Sequence, residues 1–142
     1  MNSFRFFLDT SYVVALINPH DKYHKKAKEL SKQLSTAREI LITEAAIVEV
    51  GDTLSRSTRS YVISFVKRCY ATSNIKVIPI DKELIFRAVK FYDSHKDKEW
   101  GLTDCISFIV MQDYGINKAL TTDKHFEQAG FQALLHHTSY NF

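Results

Sequence analysis

The sequence predicts an α/β fold in which helices cover both faces of a parallel sheet. Three observations carry this prediction. Short apolar runs alternate with longer segments whose apolar residues recur at helical spacing. Most of the short runs are apolar at every position, as in strands buried on both faces. Only four Gly and two Pro occur in 142 residues, too few for long linkers or low-complexity segments.

The elements follow in order. Residues 4–8, FRFFL, read as a buried strand. A short helix over 11–17 ends at Asn18-Pro19. Asp21 caps the next helix, whose stripe is His24, Ala27, Leu30 and Leu34. Ile40, Leu41 and Ile42 form a second strand. Residues 44–56 are helical, with Ile47, Val50 and Leu54 on one face. Ser57-Thr58 restarts a helix carrying Val62, Phe65, Val66 and Cys69. A strand spans 75–80, with Pro79 at its end because proline cannot donate to the ladder. Asp81 caps a helix bearing Leu84, Ile85, Ala88, Val89 and Tyr92. Gly101-Leu102-Thr103 opens a helix with Ile106, Ile109 and Val110, closed by Gly115. Residues 119–122 make a strand, Phe126 and Glu127 a small helix ended by Gly130, and 131–135 a last strand. Residues 1–142 are expected to form a single domain.

Composition narrows the function classes. The chain is 45% hydrophobic and 13% aromatic, enough for a substantial core. Arg5 and Asp9 interrupt the N-terminal apolar run, and no small-residue cleavage site follows, so no secretory leader is expected. No apolar run approaches the roughly 20 residues of a membrane span. Cys69 and Cys105 form neither a metal-ligand spacing nor a disulfide framework, and read as reduced thiols of a cytoplasmic protein. The net charge is +3. Basic residues crowd two segments: Lys22, Lys25, Lys26, Lys28 and Lys32, then Arg56, Arg59, Lys67 and Arg68. Such groups suit phosphate contacts, although most lysine-rich helices are solvated faces.

In parallel α/β sheets ligands bind beyond the carboxyl ends of the strands. Asp9 lies just past the first strand and Asp123 just past the strand over 119–122. Asp104 sits at a helix start beside Thr103. Glu49 points away from the Ile47, Val50 and Leu54 stripe, toward Asp52, Thr53 and Arg56. Each acid has an ordinary reading alone: Asp9 and Asp123 as turn or cap residues, Asp104 as an answer to the helix dipole, Glu49 as an exposed helix residue. Together they repel unless a cation shares the site. Oxygen ligands of this kind select Mg²⁺ or Mn²⁺, ions that meet substrate phosphates in phosphodiester hydrolysis.

Four stretches carry a resemblance: LDTSYVVALINPHDKYHKKA (residues 8–27), ITEAAIVEV (42–50), GLTDCISFIVM (101–111) and LTTDKHFEQAGF (120–131). In this order and spacing they resemble the PIN-domain family, and within it the VapC-type toxins of toxin–antitoxin pairs. The resemblance implies a three-layer α/β/α domain with a central parallel sheet of four or five strands, and a Mg²⁺- or Mn²⁺-dependent endoribonuclease. It places Asp9, Glu49, Asp104 and Asp123 at the family's metal-binding and catalytic positions. Thr10, Ser11, Thr103 and Thr122 are the neighbouring hydroxyls expected to support them, and Thr121 precedes the last Asp in the same way. It further implies an RNA substrate, a homodimer and a small antitoxin partner whose arginine enters the acidic cleft. Glu44 departs from the pattern, adding an acid where many members carry Ser or Pro.

Other candidates carry blander readings. His24 belongs to an apolar helix face. His136-His137 is a pair near the C-terminus. Cys105 has no base beside it. Tyr61, Tyr70 and Tyr92 fit core or interface as well as base stacking, and Trp100 lines either a substrate groove or a dimer contact. Rival functions are a processing nuclease with the same chemistry, or an inactive RNA- or protein-binding module. A haloacid-dehalogenase-type phosphatase wants a second acid where Ser11 stands. A receiver domain wants paired acids where Arg5 to Leu8 supply none.

Overall fold

The computed structural model describes residues 3–54 and 56–136. Strand β1 (Arg5–Leu8) passes through Asp9 directly into helix α1 (Thr10–Ile17). Then come α2 (His24–Leu34), β2 (Glu39–Thr43), α3 (Glu44–Thr53), α4 (Arg59–Ala71), β3 (Ile75–Ile78) and α5 (Lys82–Asp93). The remainder is α6 (Leu102–Tyr114), β4 (Lys118–Leu120), α7 (His125–Gln128) and β5 (Gln132–Ala133).

The five strands form one sheet in the order β3-β2-β1-β4-β5. Every neighbouring pair is parallel. Successive strand residues bury into opposite layers, as a period of two requires. Phe6, Leu8, Ile40, Ile42 and Leu120 pack with Tyr12, Ala27, Val50 and Cys69 from α1 to α4. Phe7, Leu41 and Ala119 pack with Leu84, Ile106, Phe108 and Phe126 from α5 to α7. The result is a three-layer α/β/α arrangement, and its strands are apolar on both faces because both faces are covered.

The strand order fixes where a ligand fits. From central β1 the chain winds outward to β2 and β3, then returns to place β4 on the other flank of β1. The winding direction therefore reverses between β1 and β4. In open α/β sheets the crevice at such a reversal, beyond the carboxyl ends of the strands, is the binding site. Asp9 leaves β1 there, and its backbone N–H extends the pairing by donating to the Leu120 carbonyl at 3.1 Å.

Several element ends differ from the sequence expectation, each for a local reason. Helix α3 stops at Thr53, and a 3-10 turn over Arg56–Thr58 precedes α4. β3 ends at Ile78, just before Pro79. Asp21 does not sit at the N-cap of α2: its carboxylate accepts the Tyr23 N–H at 2.8 Å, closing a turn ahead of the helix. Asp81 does cap α5, accepting the Leu84 N–H at 2.8 Å. Gly115 closes α6 in the left-handed region at φ 65°.

Three side chains left open by the sequence acquire structural partners. Trp100 is buried; its ring meets Phe108 edge-on at 5.0 Å and its indole N–H donates to Gln128 Oε1 at 3.0 Å. His24 Nδ1 lies 2.8 Å from the Ala15 carbonyl. Glu44 Oε1 accepts the Ile80 N–H at 3.0 Å and Oε2 accepts the Tyr70 hydroxyl at 3.2 Å, tying the start of α3 to the exit of β3. Replacing Glu44 with Ala leaves the Ile80 N–H without its acceptor. We expect a stability loss of about 1 kcal/mol in chemical denaturation. A variant as stable as the wild type would show that this tie contributes nothing to the fold.

Candidate active site

The site is assembled from three chain segments that the sheet brings together. The first is Asp9, the N-cap of α1. It is buried, and its Oδ2 accepts three hydrogen bonds: from the Ser11 N–H at 3.3 Å, the Ser11 hydroxyl at 2.7 Å and the Thr121 hydroxyl at 2.8 Å. The two hydroxyl oxygens are 3.0 Å apart, and each has its single proton directed at Asp9. Ser11 Oγ in turn accepts the Thr122 N–H at 3.0 Å, and Thr121 Oγ1 accepts the Asp123 N–H at 3.0 Å. The loop after β4 is thus stitched to the start of α1 through the carboxylate they share.

The second segment is the start of α6. Asp104 Oδ2 accepts the Gly101 N–H at 3.0 Å, one half of a capping box that fixes the carboxylate at the helix entrance. The third is the start of α7. Asp123 Oδ1 accepts the His125 N–H at 2.9 Å. That turn brings His125 Nδ1 to 3.2 Å from Asp104 Oδ2 and 3.3 Å from Asp123 Oδ2. Ligand atoms of Asp104, Asp123 and His125 all lie within 4.8 Å of one another.

The electrostatics are those of acids held too close. The Asp9 carboxyl is pushed up to about 6, chiefly by burial, with the hydrogen bonds from Ser11 and Thr121 opposing the rise and the Asp104 charge adding to it. Burial also raises the Asp104 carboxyl, with the Asp123 charge adding to the rise and the Gly101 N–H opposing it. Among the described residues, no Lys or Arg forms an ion pair with Asp9, Asp104 or Asp123; the sole partner is His125. The donor set is therefore oxygen-rich, negatively charged and without a fixed cation from the protein, and it fits a divalent metal ion.

The sequence pattern of the PIN domain matches residues 6–132. The chain belongs to the PIN-domain family. This PIN domain is 27% identical over 125 residues to the 23S rRNA-specific endonuclease VapC20 of Mycobacterium tuberculosis, in both strain CDC 1551 and strain H37Rv. The match covers 88% of this chain and 94% of the relative. The crystal structure of M. tuberculosis VapC20, described as a toxin that cleaves the Sarcin-Ricin loop, superimposes with a TM-score of 0.78 at 27% identity. That superposition spans 89% of this chain and 95% of VapC20.

Within the PIN domain the remaining residues singled out from sequence lie as follows. Glu49 is half-buried on α3, one turn beyond Ala46, and stands outside the group formed by Asp104, Asp123 and His125. Helix α3 itself packs against α1 and α6, the helices that begin at Asp9 and near Asp104. Thr10 turns its hydroxyl to the Ala46 carbonyl at 3.4 Å, bracing α1 against α3. Thr103 gives its carbonyl to the Ser107 hydroxyl at 3.0 Å. Thr122 meets the site through its N–H, whereas Thr121 presents its hydroxyl. Cys105 is buried and its thiol is pushed up to about 11, chiefly by burial, so it is a protonated core residue at neutral pH. His136 ends the second described stretch and His137 lies outside the described residues.

Sequence reasoning does not single out His125 as a site residue, and it leaves Thr121 and Thr122 undistinguished as the hydroxyls that precede Asp123. The signal for His125 is its place two residues after Asp123 at a helix start, where an aspartate cap folds the following side chain back toward itself. The signal for Thr121 is strand parity. Leu8 and Leu120 are register partners that bury into the same layer, so Asp9 and Thr121, one residue further on, leave the two strand ends on a common side and meet there.

Proposed function

We propose that this PIN domain is a Mg²⁺- or Mn²⁺-dependent endoribonuclease, the toxin of a toxin–antitoxin pair. The observation that carries the reading is the group of Asp104, Asp123 and His125 beside the β1/β4 reversal, with Asp9 joined to the same loop through Thr121 and no Lys or Arg among the described residues paired with these acids. Support comes from membership of the PIN family and from the likeness to VapC20, an RNA-cleaving toxin. We assign Asp9, Asp104 and Asp123 as metal-binding catalytic carboxylates, with Glu49 reaching from α3 as the fourth. A bound divalent cation supplies charge neutralisation for the scissile phosphate and activation of water for phosphodiester hydrolysis.

The chain's own residues do the positioning. Ser11 and Thr121 hold Asp9 through Oδ2, and no donor among the described residues reaches its Oδ1, which is left to face a cation. The Gly101 N–H holds Asp104, and the His125 N–H holds Asp123. Each carboxylate keeps its place by hydrogen bonds that do not depend on the cation, so the site is preorganised for a charged substrate. The basic residues of α2 and α4, among them Lys25, Lys28, Lys67 and Arg68, supply phosphate contacts for RNA. A small antitoxin would offer an arginine to the acidic cleft, where a fork of N–H donors matches carboxylate geometry. We place the enzyme in the cytoplasm as a homodimer.

The test is direct. Purified protein should cut RNA internally with Mn²⁺ or Mg²⁺ and leave it intact in EDTA. Expression without a partner should arrest growth. Cleavage that persists undiminished in EDTA overturns the metal-dependent reading. Normal growth with an active purified enzyme removes the toxin assignment and leaves a processing nuclease.

A further inference from the structure

The acidic positions expected from sequence make an all-oxygen site, and such sites suit Mg²⁺ and Mn²⁺ alike. The structure adds a nitrogen. His125 is held by its own backbone, since its N–H is fixed on Asp123 Oδ1 at 2.9 Å. Its Nδ1 then stands 3.2 Å from Asp104 Oδ2 and 3.3 Å from Asp123 Oδ2, with the ring largely shielded from solvent. Ligands about 2.1 Å from a six-coordinate ion lie about 3 Å apart when adjacent. Both nitrogen–oxygen distances match that spacing, and ligand atoms of all three residues lie within 4.8 Å of one another.

We propose that His125 Nδ1 is a ligand of the cation in this site and that it biases the nuclease toward Mn²⁺ over Mg²⁺. The inference rests on the reading that this site binds a divalent metal. Imidazole suits the later transition metals best and Mg²⁺ least, because Mg²⁺ prefers oxygen and sheds water reluctantly; Mn²⁺, the first of the transition series, stands between them and accepts a nitrogen more readily than Mg²⁺. For Nδ1 to ligate, the ring proton must reside on Nε2. The hydrogen bond that now bridges two carboxylates is then replaced by a metal bond to the same two groups. His125 thus serves Asp104 and Asp123 in both states, as a donor without metal and as a fellow ligand with it.

Calorimetric titration of wild type and His125→Ala with MnCl₂ and with MgCl₂ tests this, alongside pulsed electron paramagnetic resonance of the Mn²⁺-loaded wild type. The expected result is a loss of Mn²⁺ affinity of about tenfold or more in the variant, with Mg²⁺ affinity changed by less than about threefold. Wild type should show nitrogen coupling to Mn²⁺ that changes on ¹⁵N-histidine labelling. That spectroscopic readout needs no variant and stands even if His125→Ala fails to fold. Mn²⁺ bound by wild type without nitrogen coupling, or held equally or more tightly by the variant, overturns the inference while leaving metal binding intact. Wild type that binds neither ion overturns the inference and the metal-dependent reading together.

Discussion

Asp9→Asn and Asp104→Asn should each lower metal-dependent RNA cleavage by about a thousandfold or more, an effect of over 4 kcal/mol on the barrier. Either change removes a charge from the cation site and keeps the shape of the side chain. The fold should survive, because the amide oxygen at residue 9 still accepts from Ser11 and Thr121, and that at residue 104 from Gly101. Asp9→Asn has a second consequence. In wild type the Asp9 carboxyl has a pKa of about 6 in the folded chain against 3.8 ordinarily. The folded state therefore holds a proton that the unfolded state releases between those values. Its contribution to stability is complete below about pH 4 and disappears as pH rises through about 6, a difference of about 3 kcal/mol. Metal-free Asp9→Asn should lack this slope and be at least as stable as wild type at pH 8. Denaturation in EDTA at pH 4.5 and pH 8 measures it. A variant that is inactive because it is unfolded at pH 8, or one that cleaves RNA at the wild-type rate, removes Asp9 from the assigned role.

Thr121→Val should be the most damaging change outside the acids. The Thr121 side chain is fully buried, and its hydroxyl connects two chain segments by donating to Asp9 Oδ2 and accepting the Asp123 N–H. Valine keeps the volume and removes both bonds, leaving the Asp123 N–H without its acceptor. The expected stability loss is about 1–3 kcal/mol. Cleavage should fall by about tenfold to a hundredfold as Asp9 and Asp123 lose their common tether. Thr121→Ser, which keeps the hydroxyl, should restore most of the rate. Thr122→Val should have little effect, since Thr122 meets the site only through its backbone N–H. Equal damage from both valine variants contradicts the assignment of roles to the two neighbours.

Much of this architecture is legible in the sequence because it depends on one-dimensional regularities. Strands apolar at every position, such as Ile40 to Ile42, demand cover on both faces, and the structure supplies it from α1 to α4 and from α5 to α7. Asp9, Asp104 and Asp123 are visible because a charge directly after an apolar strand or at a helix entrance needs a reason. What escapes a reading of the sequence is orientation. Two adjacent threonines look alike until the parity of β4 directs the hydroxyl of Thr121 toward Asp9. Asp21 looks like an N-cap until its turn closes on Tyr23, before the helix begins. His125 is not singled out by the sequence until the cap on Asp123 brings its ring toward Asp104. Each depends on a dihedral angle or a tertiary contact that composition and spacing do not encode.

The pairing of β4 beside β1 sets a temporal order on the enzyme as well as a spatial one. Asp9 and the Thr121 hydroxyl that grips it are 112 positions apart along the chain. Closing so long a loop is late in any folding route, whether on the ribosome or in solution. A chain in which only β1, β2 and β3 have paired still lacks the Thr121 hydroxyl and the Asp123 carboxylate that complete the crevice beside Asp9.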